Sequence, residues 1–259
     1  MSAMDILYDW PRAAAFGRVI PKNKIYEHAG ANTALKDLFV RDVEQIIWAY
    51  KLAPETVNLA ATERVAEVQV LRITARTKDL DPRVLRAIDK AIPFPVIFEI
   101  VHDGRIKLAA AYKRPSEADA THWVVGEHFE SEWLPEDTPR TPLPVALDMG
   151  VLYEQLLAPL VAGQTSRLLA TAGVSSGAVE PLTESVMAVP TPLEARLQKA
   201  EAIRKQLREI ERITARLSRE KQFNKRVAIN AELRAAKKEL ERLTSTDNSV
   251  SVSASSMNG

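Results

Sequence analysis

Residues 84–100 read VLRAIDKAIPFPVIFEI, and the fold turns on whether this apolar run is one element or two. A charged pair, Asp89-Lys90, sits at its centre, and Pro93 and Pro95 follow. Proline lacks the amide donor that a helix interior needs, and it pushes the residue before it into extended backbone. The run therefore splits into a helix that stops at Ile92 and a strand that starts at Val96. The helix also has a start signal, because Asp81 can cap it and Pro82 suits the first helical position. Val84, Leu85, Ile88 and Ile92 then share one face. At about 100° per residue, Asp89 and Lys90 turn away from that face. Both are expected to meet solvent, with Lys90 complementing the helix dipole.

Outward from this run, 96–114 (VIFEIVHDGRIKLAAAYKR) reads as a hairpin, with Asp103-Gly104 as its two-residue turn. A third strand follows in THWVVGEHF, 121–129. Upstream, RVAEVQVLRITAR, 64–76, is dense in β-branched residues without clean alternation, so it predicts a strand covered on both faces. Residues 32–56, NTALKDLFVRDVEQIIWAYKLAPET, place Leu35, Leu38, Phe39, Val43, Ile46, Ile47 and Tyr50 at three- and four-residue steps. That spacing predicts one amphipathic helix, capped at Asn32 or Thr33 and stopped by Pro54. ALDMGVLYEQLLAPLV, 146–161, predicts another, with Leu147, Val151, Leu152, Leu156, Leu157 and Leu160 inward. The fold class is α+β: an antiparallel sheet packed with amphipathic helices, followed by a C-terminal helical hairpin or coiled coil.

The expected organisation is a body over 1–162, a flexible linker over 163–192, a basic helical hairpin over 193–243 and a disordered tail over 244–259. The linker stretch is rich in Ser, Thr, Gly, Pro and Ala, with room for a short helix at 166–172. Beyond it, Leu193, Ala200, Ile203, Leu207, Ile210, Thr214 and Leu217 fit heptad positions, with Arg196 as an exception. Ile229, Leu233, Ala236, Leu240 and Leu243 form a second register that does not join the first, which favours a hairpin over one rod.

The chain has 259 residues, 27% charged and 46% hydrophobic, enough for a sizeable core. It lacks cysteine, which excludes disulfides, thiol catalysis and thiolate-bound metals. No apolar run reaches membrane-spanning length, and the first residues lack a signal-peptide pattern, so a cytoplasmic protein is expected. The net charge of +1 is unevenly distributed. Residues 193–243 hold fifteen Lys and Arg against eight Glu, a net of +7, whereas 1–192 carry a net of −5. A basic segment on an acidic body points to an acidic partner.

The chemistry-bearing residues are few. Glu67, Gln69, Glu99 and Lys113 fall on adjacent predicted strands, and carboxylates with a Gln or Lys can hold a divalent metal for phosphodiester cleavage. The Glu-x-Gln spacing is common by chance, and no preceding-strand Asp completes the set. His122, Glu127 and His128 match no zinc spacing and read as surface side chains. There is no Gly-rich phosphate loop and no Gly-x-Ser-x-Gly elbow. On the hairpin, Arg204, Lys205, Arg208, Arg212, Arg216 and Arg219 form a positive run that Lys221, Lys225 and Arg226 continue. Such a run can contact phosphates, and it equally suits a solvated coiled-coil face.

Several stretches carry a family resemblance: VIPKNKIYEHAGANTALKDLF (19–39), WAYKLAPETVNL (48–59), EVQVLRI (67–73), IDKAIPFPVIFEI (88–100), AAAYKR (109–114), SEWLP (131–135) and EKQFNKRVAINAELRAAKKEL (220–240). In these the chain resembles a bacterial family catalogued as a domain of unknown function, number 4391. The resemblance implies genes placed beside helicases and DNA methyltransferases, in loci that look like restriction or antiphage defence systems. It supplies no catalytic residues and no cofactor. Lys22, Lys24 and Tyr26, in its IPKNKIY stretch, could contact a partner or phosphate, or pin the N-terminal segment to the body. The expectation is a non-catalytic accessory subunit whose α+β body docks onto helicase or methyltransferase proteins, while the basic hairpin extends to a second protein or to DNA. The alternative is a metal-dependent nuclease using Glu67, Gln69, Glu99 and Lys113.

Overall fold

The structure, a computed structural model, describes residues 6–116, 123–173 and 193–245. Two compact units divide at Val161/Ala162. The first is built on a seven-stranded sheet: β2 (Ala15–Val19), β3 (Val43–Leu52), β4 (Val68–Ala75), β5 (Val96–His102), β6 (Arg105–Pro115) and β7 (Trp123–Glu130) lie in that order, and β8 (Leu134–Pro135) also pairs with β6. Two short strands, β1 (Tyr8–Asp9) and β9 (Thr141–Pro142), pair separately and in parallel. The helices are α1 (Lys22–Ala29), α2 (Thr33–Asp42), the single turn α3 (Pro54–Val57), α4 (Pro82–Ala91) and α5 (Met149–Thr171).

The opening stretch divides where its prolines fall. Asp81 caps α4 by accepting from Arg83 N at 3.0 Å. The chain re-enters the sheet as β5, and because α4 carries it back, β5 pairs parallel to β4 within an otherwise antiparallel sheet. The hairpin turn has φ of 47° at Asp103 and 67° at Gly104, the left-handed pair that a two-residue turn requires. Val84, Leu85, Ile88 and Ile92 are buried, as are Ile97 and Phe98.

One prediction fails for a local reason. The helix expected over 33–54 is α2 followed at once by β3. In its pairing with β4, β3 shifts register twice, leaving Glu44 and Ala49 as extra residues. Each bulge interrupts the two-residue alternation, so the apolar positions of β3 imitate helical spacing. Leu147 is also misplaced by the sequence reading: it precedes α5 and is 88% exposed. Pairing assigns the sheet faces. Leu71, Ile73, Phe98, Ile100 and Ala109 pack with α2 and α4 in one core. Arg72, paired with Glu99, and Val70, paired with Ile97, lie on the opposite face.

In the second unit, α6 (Leu193–Arg219) and α7 (Phe223–Ser245) form a hairpin through residues 220–222. Leu169, in the last turns of α5, packs with Ile203, Leu207 and Leu240; Ile213 packs with Ile229 and Ala236. The α6 seam corrects the heptad assignment. Leu197 is buried beside Arg196, and Ile213 is buried where Thr214 is exposed. Residues 163–171, read as the start of a linker, are helical, and 244–245 extend α7. The remainder of the expected linker and tail, 174–192 and 246–259, lies outside the described residues. Among the described residues no helix is long and apolar enough to cross a membrane.

Candidate functional site

The four residues of the nuclease alternative do not form one cluster. Gln69, with the parity of Leu71 and Ile73, lies on the α4 face of the sheet, fully buried. It accepts from Trp48 Nε1 at 2.6 Å and donates to Glu67 Oε1 at 2.7 Å. Glu67, just before β4, also pairs with Lys51 Nζ at 2.8 Å, and that bond raises the lysine pKa. Lys113 lies on the same face, reaching α4. Glu99 is on the opposite face. There its Oε1 accepts from Trp10 Nε1 at 2.7 Å and Arg140 Nη1 at 2.6 Å, while Arg72 Nη1 stands 3.6 Å from Oε2. Metal–oxygen bonds are only about 2.0–2.6 Å long, so one ion cannot join groups divided by a sheet. Among the described residues no group of three His, Asp or Glu side chains is placed to hold a metal.

A polar centre on the α4 face escaped the sequence reading. Asp89 is not at the surface; it is 1% exposed. Its Oδ2 lies 2.6 Å from His128 Nε2 on β7, and its Oδ1 is 3.6 Å from Lys113 Nζ on β6, beyond hydrogen-bond reach. The ammonium of Lys113 instead donates to the carbonyls of Asp89 and Ile92, capping the end of α4. Burial lowers the Lys113 pKa, against the opposing pull of the Asp89 carboxylate. Tyr153 on α5 closes the centre: its hydroxyl donates to Ala111 O at 2.6 Å and accepts from Lys113 N at 3.0 Å, and burial holds its pKa well above normal. Asp89 is buried because α4 is covered by β7 as well as by the central strands, a second contact that a one-face helical stripe does not reveal. His128 is likewise drawn inside, while His122 lies outside the described residues. The one sequence signal available was a charged pair embedded in an apolar run.

The IPKNKIY residues are engaged with their own body. Lys22 Nζ donates to Phe39 O at 3.1 Å and Val43 O at 2.5 Å, capping α2 much as Lys113 caps α4. Burial and the nearby Arg76 lower its pKa. Tyr26 packs edge-on against Phe39, with ring centroids 5.4 Å apart, and Lys36 Nζ lies 5.8 Å from its ring centre. Lys24 is exposed and pairs with Glu27 at 3.1 Å.

The hairpin carries the remaining basic residues. Arg212 pairs with Glu209 at 2.7 Å along α6, and Arg216 reaches Glu232 on α7 at 3.1 Å. Both pairs are solvent-exposed. Arg204, Arg208, Arg219, Lys225 and Arg226 stand along the same two helices and their turn. The seam between the helices is apolar and closed within the unit, so the charges are on its outside.

A family model described as Domain of unknown function (DUF4391) matches residues 8–240. No curated protein and no solved structure matches the chain.

Proposed function

The chain belongs to the DUF4391 family, and from that premise we propose that it is a non-catalytic accessory subunit of a bacterial restriction or antiphage defence system. It acts in the cytoplasm and docks through its basic hairpin onto a helicase or DNA methyltransferase partner. The observation that carries this reading is the hairpin itself. A two-helix unit with a net charge of +7 over 193–243 has its apolar seam satisfied internally and its cations turned outward. Such a surface attracts an acidic partner and accelerates encounter. The nuclease alternative has less support, because Glu99 is divided by the sheet from Gln69 and Lys113 and is held by two arginines and a tryptophan.

The test is binding of the full chain to the purified helicase or DNA methyltransferase that the proposed locus would encode. Leu240→Asp, which opens the seam, should abolish the complex and leave the melting of the body unchanged. The triple change of Arg204, Arg208 and Arg212 to Gln should mainly slow association. Full affinity in the Leu240→Asp chain would overturn the reading. Steeply salt-dependent binding of duplex DNA, with no protein bound, would move the target to nucleic acid.

A further inference from the structure

The two helices of the hairpin meet in a turn whose surface differs from the rest. Phe223 opens α7 and is 78% exposed; Val227, one turn later, is 51% exposed. They are the exposed large apolar side chains of this unit among its described residues. At i and i+4 they share one face of the helix, and neither belongs to the internal seam of Ile213, Ile229 and Ala236. Charge surrounds them. Residues 216–227 hold five Lys and Arg against one Glu, a net of +4. Round α7 from them, on the side that Lys225, Ile229 and Glu232 share, the helix ends bound a cleft of about 360 Å³, lined also by Arg216, Arg219 and Glu220. Arg216 is paired with Glu232 across it.

We infer that this turn is the docking tip of the hairpin. Phe223 and Val227 enter an apolar pocket on a partner protein that wraps the tip, and from the other side of α7 a partner Asp or Glu enters the cleft between Arg219 and Lys225, its stem against Ile229. The inference rests on the docking role proposed above and names the part of the hairpin that performs it. Charge complementarity requires an acidic rim on the partner. The apolar pair at helical spacing requires a pocket within that rim, the arrangement by which one helix face docks in a groove. A protein fits this surface better than a nucleic acid backbone. Phosphates gain nothing from Phe223 and Val227, whereas an apolar pocket on a protein buries both. An exposed aromatic side chain at the end of a preformed helix is also a low-entropy anchor of the kind that dominates interfaces.

The experiment uses the full chain and the same purified partner proteins, with affinity measured for the parent and four variants. Phe223→Ala with Val227→Ser should weaken the complex by about 30-fold or more, the loss typical of removing a central anchor. Arg219→Gln with Lys225→Gln should weaken it by a similar factor, with a reduced salt dependence. A mid-helix control, Lys205→Gln, should change it less than about threefold. All five of these positions are at the surface, so helicity and melting temperature should match the parent and exclude unfolding as the cause. If Leu240→Asp abolishes binding while the tip variants retain it, the tip inference fails and the docking role stands. If neither partner protein binds the full chain, or Leu240→Asp binds normally, both fail. If the chain binds duplex DNA instead, and the Phe223 and Val227 changes do not affect it, the partner named here is wrong.

Discussion

Two buried carboxylates stand on opposite faces of one sheet, and they are satisfied in different ways. Glu99 has one oxygen bonded to Trp10 and Arg140, with Arg72 near the other. Arg72 and Arg140 keep 31% and 26% of their side chains exposed. Their charges remain partly hydrated, so the site tolerates loss of a partner. Asp89 has one oxygen bonded to His128 and the other without a hydrogen bond. Its nearest cation, Lys113, is fully buried and directed at two helix-end carbonyls. The cation at the Asp89 centre is a backbone cap first and a counter-ion second. At the Glu99 centre the cations are counter-ions throughout.

Removing one cation from each side should separate the two centres most. Lys113→Met should destabilise the body by about 3–5 kcal/mol, because it leaves Asp89 as an uncompensated buried charge and unsatisfies two carbonyls. Arg140→Met should cost about 1 kcal/mol or less, since Arg72 and Trp10 remain and the arginine is partly solvated. Urea denaturation at constant slope measures both. Equal losses would show that Lys113 is no more embedded than Arg140.

The next test acts on the carboxylates. Asp89→Asn should cost about 1–3 kcal/mol, the range for disturbing a buried charged hydrogen bond. Glu99→Gln should cost about 1 kcal/mol, because the amide oxygen can still accept from Trp10. A larger loss at Glu99 would reverse the ranking and make the arginine side the more demanding of the two.

These centres also mark where the sequence stopped being readable. Local signals were sufficient for α4, because Asp81, Pro82, Pro93 and Pro95 bound it within one short stretch. Asp103-Gly104 was sufficient for the β5–β6 hairpin for the same reason. Asp89 was not legible, because its burial depends on β7, about forty residues downstream, closing over a second side of α4. β3 was hidden by two bulges that gave it helical spacing. The Glu99 centre gathers Trp10, Arg72 and Arg140 from three distant segments, and no local pattern could join them. Lys22 was noticed as a charge in a family stretch, but its acceptors, Phe39 O and Val43 O, are set by tertiary packing.

The smallest expected effect calibrates the others on the same helix. Asp81, at the opposite end of α4 from Lys113, accepts from Arg83 N and pairs with the Arg83 guanidinium at 2.8 Å. The Arg83 side-chain bond is the main reason its pKa falls to about 2. Its partners lie within its own first turn, so folding α4 brings them without any other element. Asp81→Ala should therefore cost only about 1 kcal/mol, the usual value of an N-cap. The folded-state pKa lies below the unfolded value of about 3.9, so the unfolded chain binds the extra proton. The contribution of Asp81 is accordingly complete above about pH 4 and is lost as the pH falls towards 2. Measured at pH 6, the parent and Asp81→Ala should differ by the full amount; at pH 2.5, any folded fraction should show a smaller gap. A gap that does not narrow on acidification would mean that the cap acts through shape rather than charge. Asp81 would then no longer serve as the solvent-screened reference against which the Asp89 centre is judged.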